Sequence, residues 1–382
     1  MHGFNAKFKL SIKELTLIII VTFLPILLIY LPFLLKLRQL LFLTIKEPGF
    51  ANVLKNWDGP HYLMISKTWY DLAEIGRRLF IPIDVRYYAA HFPLFPFLIW
   101  LGSFLSSGPY AGLLLTLFFD LALNVLFYIL ARKYTRHPLF LTFVFTVFPP
   151  RYLVTRSIIA PETLMVFLML FSLYLWEKKQ YYLSSLFGFF GVLTKIQALF
   201  LFPAYLFDLI EKRIKQKGLF RKEQLFMFLI PLAFIFLSLF YYFRLGDFFA
   251  FLRAEKGNNL YVYFPFSQFN AQNVWAGAWI EDVVFYFIAM FTLTVSLWKG
   301  KQRSWFYFAL FYTLFLVFIP QRDITRFAYP LLPLFLFNFQ SFITSKVFKV
   351  ALFVCLPAIY FYTINFMLVN QAPIADWSLL LK

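Results

Sequence analysis

Long apolar runs separated by short polar stretches repeat along almost the whole chain. The first extends from Leu15 to about Leu35; later ones fall near 110–131, 138–149, 162–176, 181–194, 197–210, 225–243, 281–298, 304–320, 327–343 and 347–367. A run of about 20 apolar residues is long enough to cross a bilayer as a helix. Backbone groups in lipid must be bonded within their own segment, so unbroken apolar runs predict helices, whereas a barrel would alternate. The pattern therefore predicts an all-α polytopic membrane protein of about 11 transmembrane helices. These would form one integral membrane domain over residues 1–382. The runs at 138–149, 181–194 and 197–210 are shorter than a perpendicular crossing requires.

The longest interruption is the polar stretch 36–91. Within it, Tyr62, Ile65, Trp69, Leu72, Ile75 and Leu79 recur at helical spacing, with Lys67, Asp71, Glu74 and Arg78 between them. That spacing predicts an amphipathic helix over 61–80 lying in the membrane interface. The next apolar piece, His91 to Phe104, is short and carries Pro93 and Pro96. If it crossed, the following span would deliver Arg132, Lys133 and Arg136 to the outside, so it reads as a half-inserted or re-entrant element. A second long polar segment, 244–280, is rich in Tyr, Asn, Gln and Trp. It suits either sugar faces or an interfacial aromatic belt.

Composition supports the membrane reading and removes others. Hydrophobic residues make up 62% of the 382 positions and charged residues 14%, against about 25% charged in a soluble domain. The net charge of +18 has the sign that nucleic acid attracts, but the basic residues lie in short loops. Arg132/Lys133/Arg136, Lys178/Lys179, Lys212 to Lys222, Lys299/Lys301/Arg303 and Lys346/Lys349 fall on one side. Asp58, Asp71, Glu74, Asp84, Glu162, Asp247, Glu255, Glu281, Asp282 and Asp323 fall on the other. One frame satisfies both sets: N-terminus cytosolic, with 36–91 and 244–280 extracytoplasmic. The positive charge then serves orientation and contact with anionic lipid headgroups, not nucleic acid. Lys7, Lys9 and Lys13 precede an apolar core too long for a signal peptide, with no small-x-small site after it. It reads as a retained first span, in the cell membrane of a prokaryote or the endoplasmic reticulum of a eukaryote. The single Cys355 has no partner for a disulfide.

Candidate chemistry lies in the outer loops. Asp58, in Asn56-Trp57-Asp58-Gly59-Pro60-His61-Tyr62, can cap the following helix, with Gly59 and Pro60 shaping the turn. It can equally act as a general base toward a hydroxyl, and one residue can fill both roles. Glu162 follows Pro161 at a helix start, as a favourable first-turn carboxylate or a second acid. Asp120 lies within the 110–131 span, where an acid hints at function; a pairing with Asn124 is the plainer reading. Lys195 is a costly charge between two apolar runs. Arg322 and Arg326 can snorkel to headgroups, pair with Asp323, or stabilise a phosphate. His and acidic residues are too scattered for a metal-ligand cluster, although a divalent metal stays open.

Trp57-Asp58-Gly59-x-His61-Tyr62-Leu63, followed by His91-Phe92-Pro93-Leu94-Phe95-Pro96, resembles the PIG-V family (GPI mannosyltransferase 2-like) of the GT-C superfamily. That family shows W-D-x-x-H-[FY] in its first outer loop and then F-F-P-L-[FY]-P. Leu193-Thr194-Lys195 and Arg326-Phe327-Ala328-Tyr329-Pro330 fit its later, less specific stretches. His91 and Pro161-Glu162 depart from its usual pattern. The resemblance implies a GT-C-like fold and transfer of a sugar, mannose above all, from a polyprenyl- or dolichyl-phosphate donor. The acceptor would be a hydroxyl of a glycolipid or glycan at the extracytoplasmic face, reached with inversion. Asp58 would be the base and Glu162 a second acid. Trp57, His61, Tyr62, His91, Lys195, Arg322 and Arg326 would hold substrate or phosphate, and no cofactor is called for. A different GT-C transferase acting on protein or lipid A-like acceptors is the alternative, and a lipid or glycolipid transporter another. A transporter should show related halves and mid-membrane charges, and no internal repeat is legible. A scaffold would not need the long first loop.

Overall fold

The computed structural model describes residues 10–78, 84–216, 221–257, 262–270, 281–321, 323–372 and 380. The chain is an all-α membrane protein; among the described residues the only paired strands are Gln39–Leu40 and Leu43–Thr44. Among the described residues four helices are long and apolar enough to cross a membrane: Ile12–Leu34, Gly108–Ala131, Lys222–Leu245 and Lys346–Val369. Pro138–Val147 and Pro150–Arg156, bent by 83° at their junction, make a fifth if taken as one span.

The expected number of about 11 spans is larger than the number of helices that meet this length among the described residues. The other apolar runs are helical but short: Glu162–Glu177 has 16 residues, Tyr181–Thr194 14, Glu281–Leu297 17 and Arg303–Val317 15. At 1.5 Å per residue these reach about 21–26 Å, under the ~30 Å hydrocarbon core. The run 327–343 breaks into Tyr329–Leu331, Leu332–Asn338 and Gln340–Ile343, with Pro330 and Pro333 withholding two backbone donors. Leu94–Gly102, within the predicted re-entrant element, is a nine-residue helix.

The chain gathers into two compact units. The first comprises Met1–Ile83, Phe95–Phe167 and Phe339–Lys382; the second comprises Asp84–Leu94 and Leu168–Asn338. In the first, Ile12–Leu34 opens with a capping box. Ser11 Oγ accepts from the Glu14 N–H at 3.2 Å and the Glu14 carboxylate accepts from the Ser11 N–H at 2.8 Å. This helix packs on Gly108–Ala131 and Pro138–Val147. Leu24, Leu27, Leu28 and Leu31 stay exposed, as a lipid-facing surface requires.

Asp120 does not take Asn124 as its partner, as the sequence suggested. It pairs with Arg156, and both are fully buried. The Arg156 guanidinium also donates to Asn124 Oδ1 at 3.2 Å and to the Phe145 carbonyl at 3.1 Å. It lies over the rings of Phe145 and Tyr152, at 4.4 and 4.2 Å. Asn124 in turn donates to the hydroxyl oxygens of Thr22 and Thr146. A charge pair at this depth persists because the guanidinium is also bonded to an amide oxygen and a backbone carbonyl and lies on two aromatic rings.

The single interfacial helix expected over 61–80 is two helices, Gly59–Thr68 and Leu72–Arg78. Trp69 and Tyr70 break it, both with left-handed backbones at φ 49° and 63°. Nor does the first helix lie on a surface: every residue from Gly59 to Ser66 is buried. Its hydroxyls turn inward to the backbone, Ser66 Oγ donating to the Leu63 carbonyl at 2.7 Å and Thr68 Oγ1 to that of Met64 at 2.9 Å. Residues 79–80 of the expected helix lie outside the described residues.

In the second unit, Tyr181–Thr194 packs on Leu229–Leu245, and Leu201–Gln216 on Arg303–Val317. The Trp176 indole stacks on Tyr205 at 3.9 Å and donates to Asp208 at 2.7 Å. Glu211 bonds both Lys215 and Arg303, at 2.5 Å each. Of the second long loop, 244–280, the described parts include the helix Ala250–Gly257 and the turn Ser267–Phe269; 258–261 and 271–280 lie outside the described residues.

Candidate functional site

The backbone leading to Asp58 is held before that residue is reached. Asn56, fully buried, donates from Nδ2 to the Met367 carbonyl at 2.7 Å and forms an antiparallel bridge with Gln371. The Trp57 N–H donates to the Asn370 carbonyl and the Ala372 N–H to that of Lys55, each at 2.9 Å. The end of the last long helix thus satisfies a strand-like edge of the first loop. Trp57 itself has φ 50°, a left-handed conformation that costs a bulky residue on the order of 1–3 kcal/mol unless its surroundings enforce it. They do so through its ring, which sits 5.2 Å from Phe366 and 4.7 Å from the Arg151 guanidinium.

Asp58 is the residue before the helix Gly59–Thr68, but its side chain makes no cap hydrogen bond. At φ −79° and ψ −9° its backbone is already helical, whereas a capping side chain needs an extended one to reach back to the second or third N–H. The carboxylate therefore stands at the positive end of the helix without capping it. The Asp58 carbonyl accepts from the His61 and Tyr62 N–H groups at 3.0 and 3.3 Å.

Gly59 packs against the segment that leads to the second candidate carboxylate. A Cβ there would lie 3.1 Å from Ile159 Cβ and 3.2 Å from the Ile159 carbonyl oxygen; one at Gly112 would lie 2.9 Å from Ile159 Cγ2. Ile159 is thus clamped between two glycines, three residues ahead of Glu162. The rest of that approach is held by Thr116, whose Oγ1 accepts from the Ala160 N–H at 3.2 Å and whose carbonyl accepts from Thr163 Oγ1 at 3.2 Å. Glu162 begins its helix and is buried. We expect Gly59→Ala to lower the thermal midpoint through an overpacking cost of about 1–3 kcal/mol. Gly108→Ala, whose nearest neighbour would be the flexible end of Lys67 at 3.6 Å, should leave it near wild type. Equal losses in the two variants would contradict the clamp.

Burial pushes the His61 imidazole below its ordinary pKa, and the nearby Asp58 charge pulls it partway back up. His61 is therefore neutral at pH 7, with one ring nitrogen a donor and the other an acceptor. Because the folded value lies under the ordinary 6.5, the unfolded chain takes up this proton first as pH falls. The resulting stability is complete above pH 6.5 and is lost below it, toward the folded pKa. The thermal midpoint should decline below pH 6.5 in the wild type and decline less in His61→Gln. The same decline in both would assign the effect elsewhere.

Trp57, Asp58, His61, Tyr62 and Glu162 all belong to the first unit. The Tyr62 ring packs edge-on against Phe95 at 5.2 Å, which makes Tyr62 a support for the helix. His91, Lys195 and Arg326 belong to the second unit. His91 is buried beside the rings of Tyr87 and Tyr88, at 4.9 and 6.3 Å. Lys195 is a half-buried residue just past Tyr181–Thr194. Arg326 is buried, its N–H bonded to the Asp323 carbonyl at 3.0 Å. Arg322 lies outside the described residues. Sequence reasoning missed Arg151 and Arg156. Their signal was present: two arginines stand between the 138–149 and 162–176 runs, on the side the charge frame gives to acids. Among the described residues no group of three or more His, Cys, Asp or Glu could hold a metal ion.

No protein-family model and no curated protein sequence matches the chain. Among solved structures it is similar to the oligosaccharyltransferase of Archaeoglobus fulgidus. One crystal structure, a complex with zinc and sulfate, aligns with a TM-score of 0.49 at 13% identity, over 94% of this chain and 54% of that one. Another, tethered through a disulfide bond to an acceptor peptide containing the NVT sequon, gives 0.47 at 13% identity, over 94% and 56%. The chain spans about half the length of the structures it matches, and a likeness at this level assigns no family.

Proposed function

We propose that this chain is a membrane glycosyltransferase of the GT-C kind. In this reading it moves a sugar, mannose above all, from a polyprenyl- or dolichyl-phosphate donor to a hydroxyl of a glycolipid or glycan at the extracytoplasmic face. One observation carries it. The carboxylate of the Trp57-Asp58-Gly59-x-His61-Tyr62 stretch sits on a turn clamped from several sides and is not used to cap its helix.

A sugar hydroxyl is a poor nucleophile, so a base must take its proton as the oxygen attacks. Asp58 accepts that proton while the acceptor oxygen forms a bond to the anomeric carbon from the face opposite the phosphate. The bond from that carbon to the phosphate oxygen breaks, and the lipid phosphate leaves with the electron pair. The configuration inverts. A neutral His61 beside Asp58 leaves the carboxylate its basicity, which an imidazolium would reduce. Glu162, on the segment packed against Gly59, is the second carboxylate of the site. Anchoring of the Asp58 backbone by residues 367–372 supplies the preorganisation that proton transfer in one geometry needs.

The acceptor is the finer question. A peptide acceptor accompanies one of the oligosaccharyltransferase structures similar to this chain, and a protein acceptor is the alternative here. The test supplies labelled polyprenyl-phosphate mannose to purified protein with a membrane-lipid extract, free oligosaccharides or peptides. Label in the lipid or oligosaccharide pool supports the main reading. Label in peptide would move it to the protein-acceptor alternative, and no transfer from any polyprenyl-phosphate sugar to any pool would end it.

A further inference from the structure

We infer that the hairpin after the first long helix is a foot seated in the bilayer surface. Leu41 and Phe42 enter the acyl chains, and Lys36, Arg38 and Lys46 lie on the phosphates of anionic lipid headgroups. Such a foot is independent of the glycosyl-transfer reading. Gln39–Leu40 and Leu43–Thr44 pair antiparallel with Leu40 opposite Leu43, so Leu41 and Phe42 form the whole turn. Two-residue hairpin turns favour Asn-Gly, Asp-Gly or a leading Gly, because they require positive φ. Here Leu41 holds that conformation at φ 52°, and the two turn side chains are 70% and 72% exposed. A pair of large apolar side chains at the tip of a hairpin is unfavourable in water and suited to lipid.

The hairpin is fixed where a bilayer surface would be. Ile12–Leu34 has 23 residues, about 34 Å at 1.5 Å per residue against a hydrocarbon core of ~30 Å, so its end reaches headgroup level. It closes in a Schellman turn: the Leu37 N–H donates to the Pro32 carbonyl at 3.0 Å and the Lys36 N–H to that of Phe33 at 3.2 Å, with Lys36 at φ 52°. At the hairpin root the Ile45 N–H donates to the Arg38 carbonyl at 2.9 Å, and the Ile45 side chain is buried. The Phe42 ring lies 4.9 Å from that of Phe361, on the long apolar helix Lys346–Val369. The exposed leucines of the first helix continue through Leu34 and Leu35, so one lipid-facing surface runs from the helix into the hairpin. The charge is complementary to anionic lipid. Among the described residues Lys36, Arg38 and Lys46 are exposed and enter no ion pair, and Glu47, the one acid in 36–47, is paired with Lys55 at 3.5 Å. Long cationic side chains beside an apolar tip lay their stems on apolar surface and their heads at the phosphates. The interfacial place expected for 61–80 thus falls to 36–46.

The test attaches a nitroxide to Leu41→Cys in a Cys355→Ser background of the full chain. The chain is placed in nanodiscs of phosphatidylcholine, alone or mixed with phosphatidylglycerol. Collisions of the label are compared between oxygen, which concentrates among acyl chains, and a water-soluble nickel chelate. A seated foot predicts that oxygen collisions dominate. Adding phosphatidylglycerol should lower the nickel collisions by roughly twofold as the cations draw the tip inward, and Lys36→Gln/Arg38→Gln/Lys46→Gln should abolish that response. Nickel-dominated collisions in both lipids would overturn the foot. Few collisions with either reagent would show protein covering the tip, and would overturn lipid as its partner. An oxygen-dominated label that ignores phosphatidylglycerol, or responds equally in the triple variant, would overturn the assignment of the three cations. Should a label at 41 disturb the turn, one on Phe42→Cys is read by the same outcomes.

Discussion

Asp58→Asn is expected to lower sugar transfer by at least about a hundredfold, because a positioned general base contributes roughly 10²–10⁴ in rate. The amide keeps the shape of the carboxylate and cannot take a proton from a hydroxyl. Stability should hardly change. Asn matches Asp in size and is as well tolerated before a helix. Activity and thermal midpoint should therefore separate: transfer lost, midpoint within a degree or two of wild type. A loss of both together would return Asp58 to a structural role, and full activity would remove it from the chemistry.

The largest effect on stability is expected at Arg156. Arg156→Met leaves the fully buried Asp120 carboxylate without its counter-ion, and stripping one partner from a buried pair costs about 3–5 kcal/mol. Replacing both partners with apolar residues should be far milder, since an apolar pair of similar volume is often neutral. The thermal midpoint should fall sharply for Arg156→Met and recover in large part for Asp120→Leu/Arg156→Met. Full recovery is not expected, because the Asn124 oxygen and the Phe145 carbonyl would still lose a donor. If the double variant is as unstable as the single one, the pair is not the source of the loss.

How far the sequence spoke for the fold can be judged element by element. The run at 181–194 coincides with the helix Tyr181–Thr194, and the runs at 110–131 and 347–367 with Gly108–Ala131 and Lys346–Val369. Apolar periodicity locates helices well because it records which backbone must satisfy itself. It did not establish crossings, since a helix of 14–17 residues is equally apolar when packed inside protein. The break at Trp69 and Tyr70 carried no Gly, Pro or Asn to announce it; two aromatic residues in the left-handed region are a choice made by tertiary packing. Asp120 was legible as an anomaly, but its partner lies 36 positions away and only the fold brings it there.

The candidate site drew on a few residues of the sequence. Asp58 and Glu162 stood out as outer-loop acids, and the structure brings their segments together through Gly59 and Ile159. Gly59 reads from sequence as a turn residue; that a foreign backbone needs its space does not show in a pattern. Whether Asp58 caps its helix depended on one backbone angle, and that angle is helical. Arg151 stands between two apolar runs, and no motif or neighbouring residue in the sequence singles it out. Its place on the faces of Trp57 and Phe366 draws on residues more than two hundred positions apart in the chain.

The central claim is tested most directly by the anomeric configuration of the product that purified wild-type protein makes from labelled polyprenyl-phosphate mannose. Direct displacement with Asp58 as base predicts a product whose configuration is opposite to the donor's. Retention of configuration, or no turnover of any polyprenyl-phosphate sugar, would contradict it.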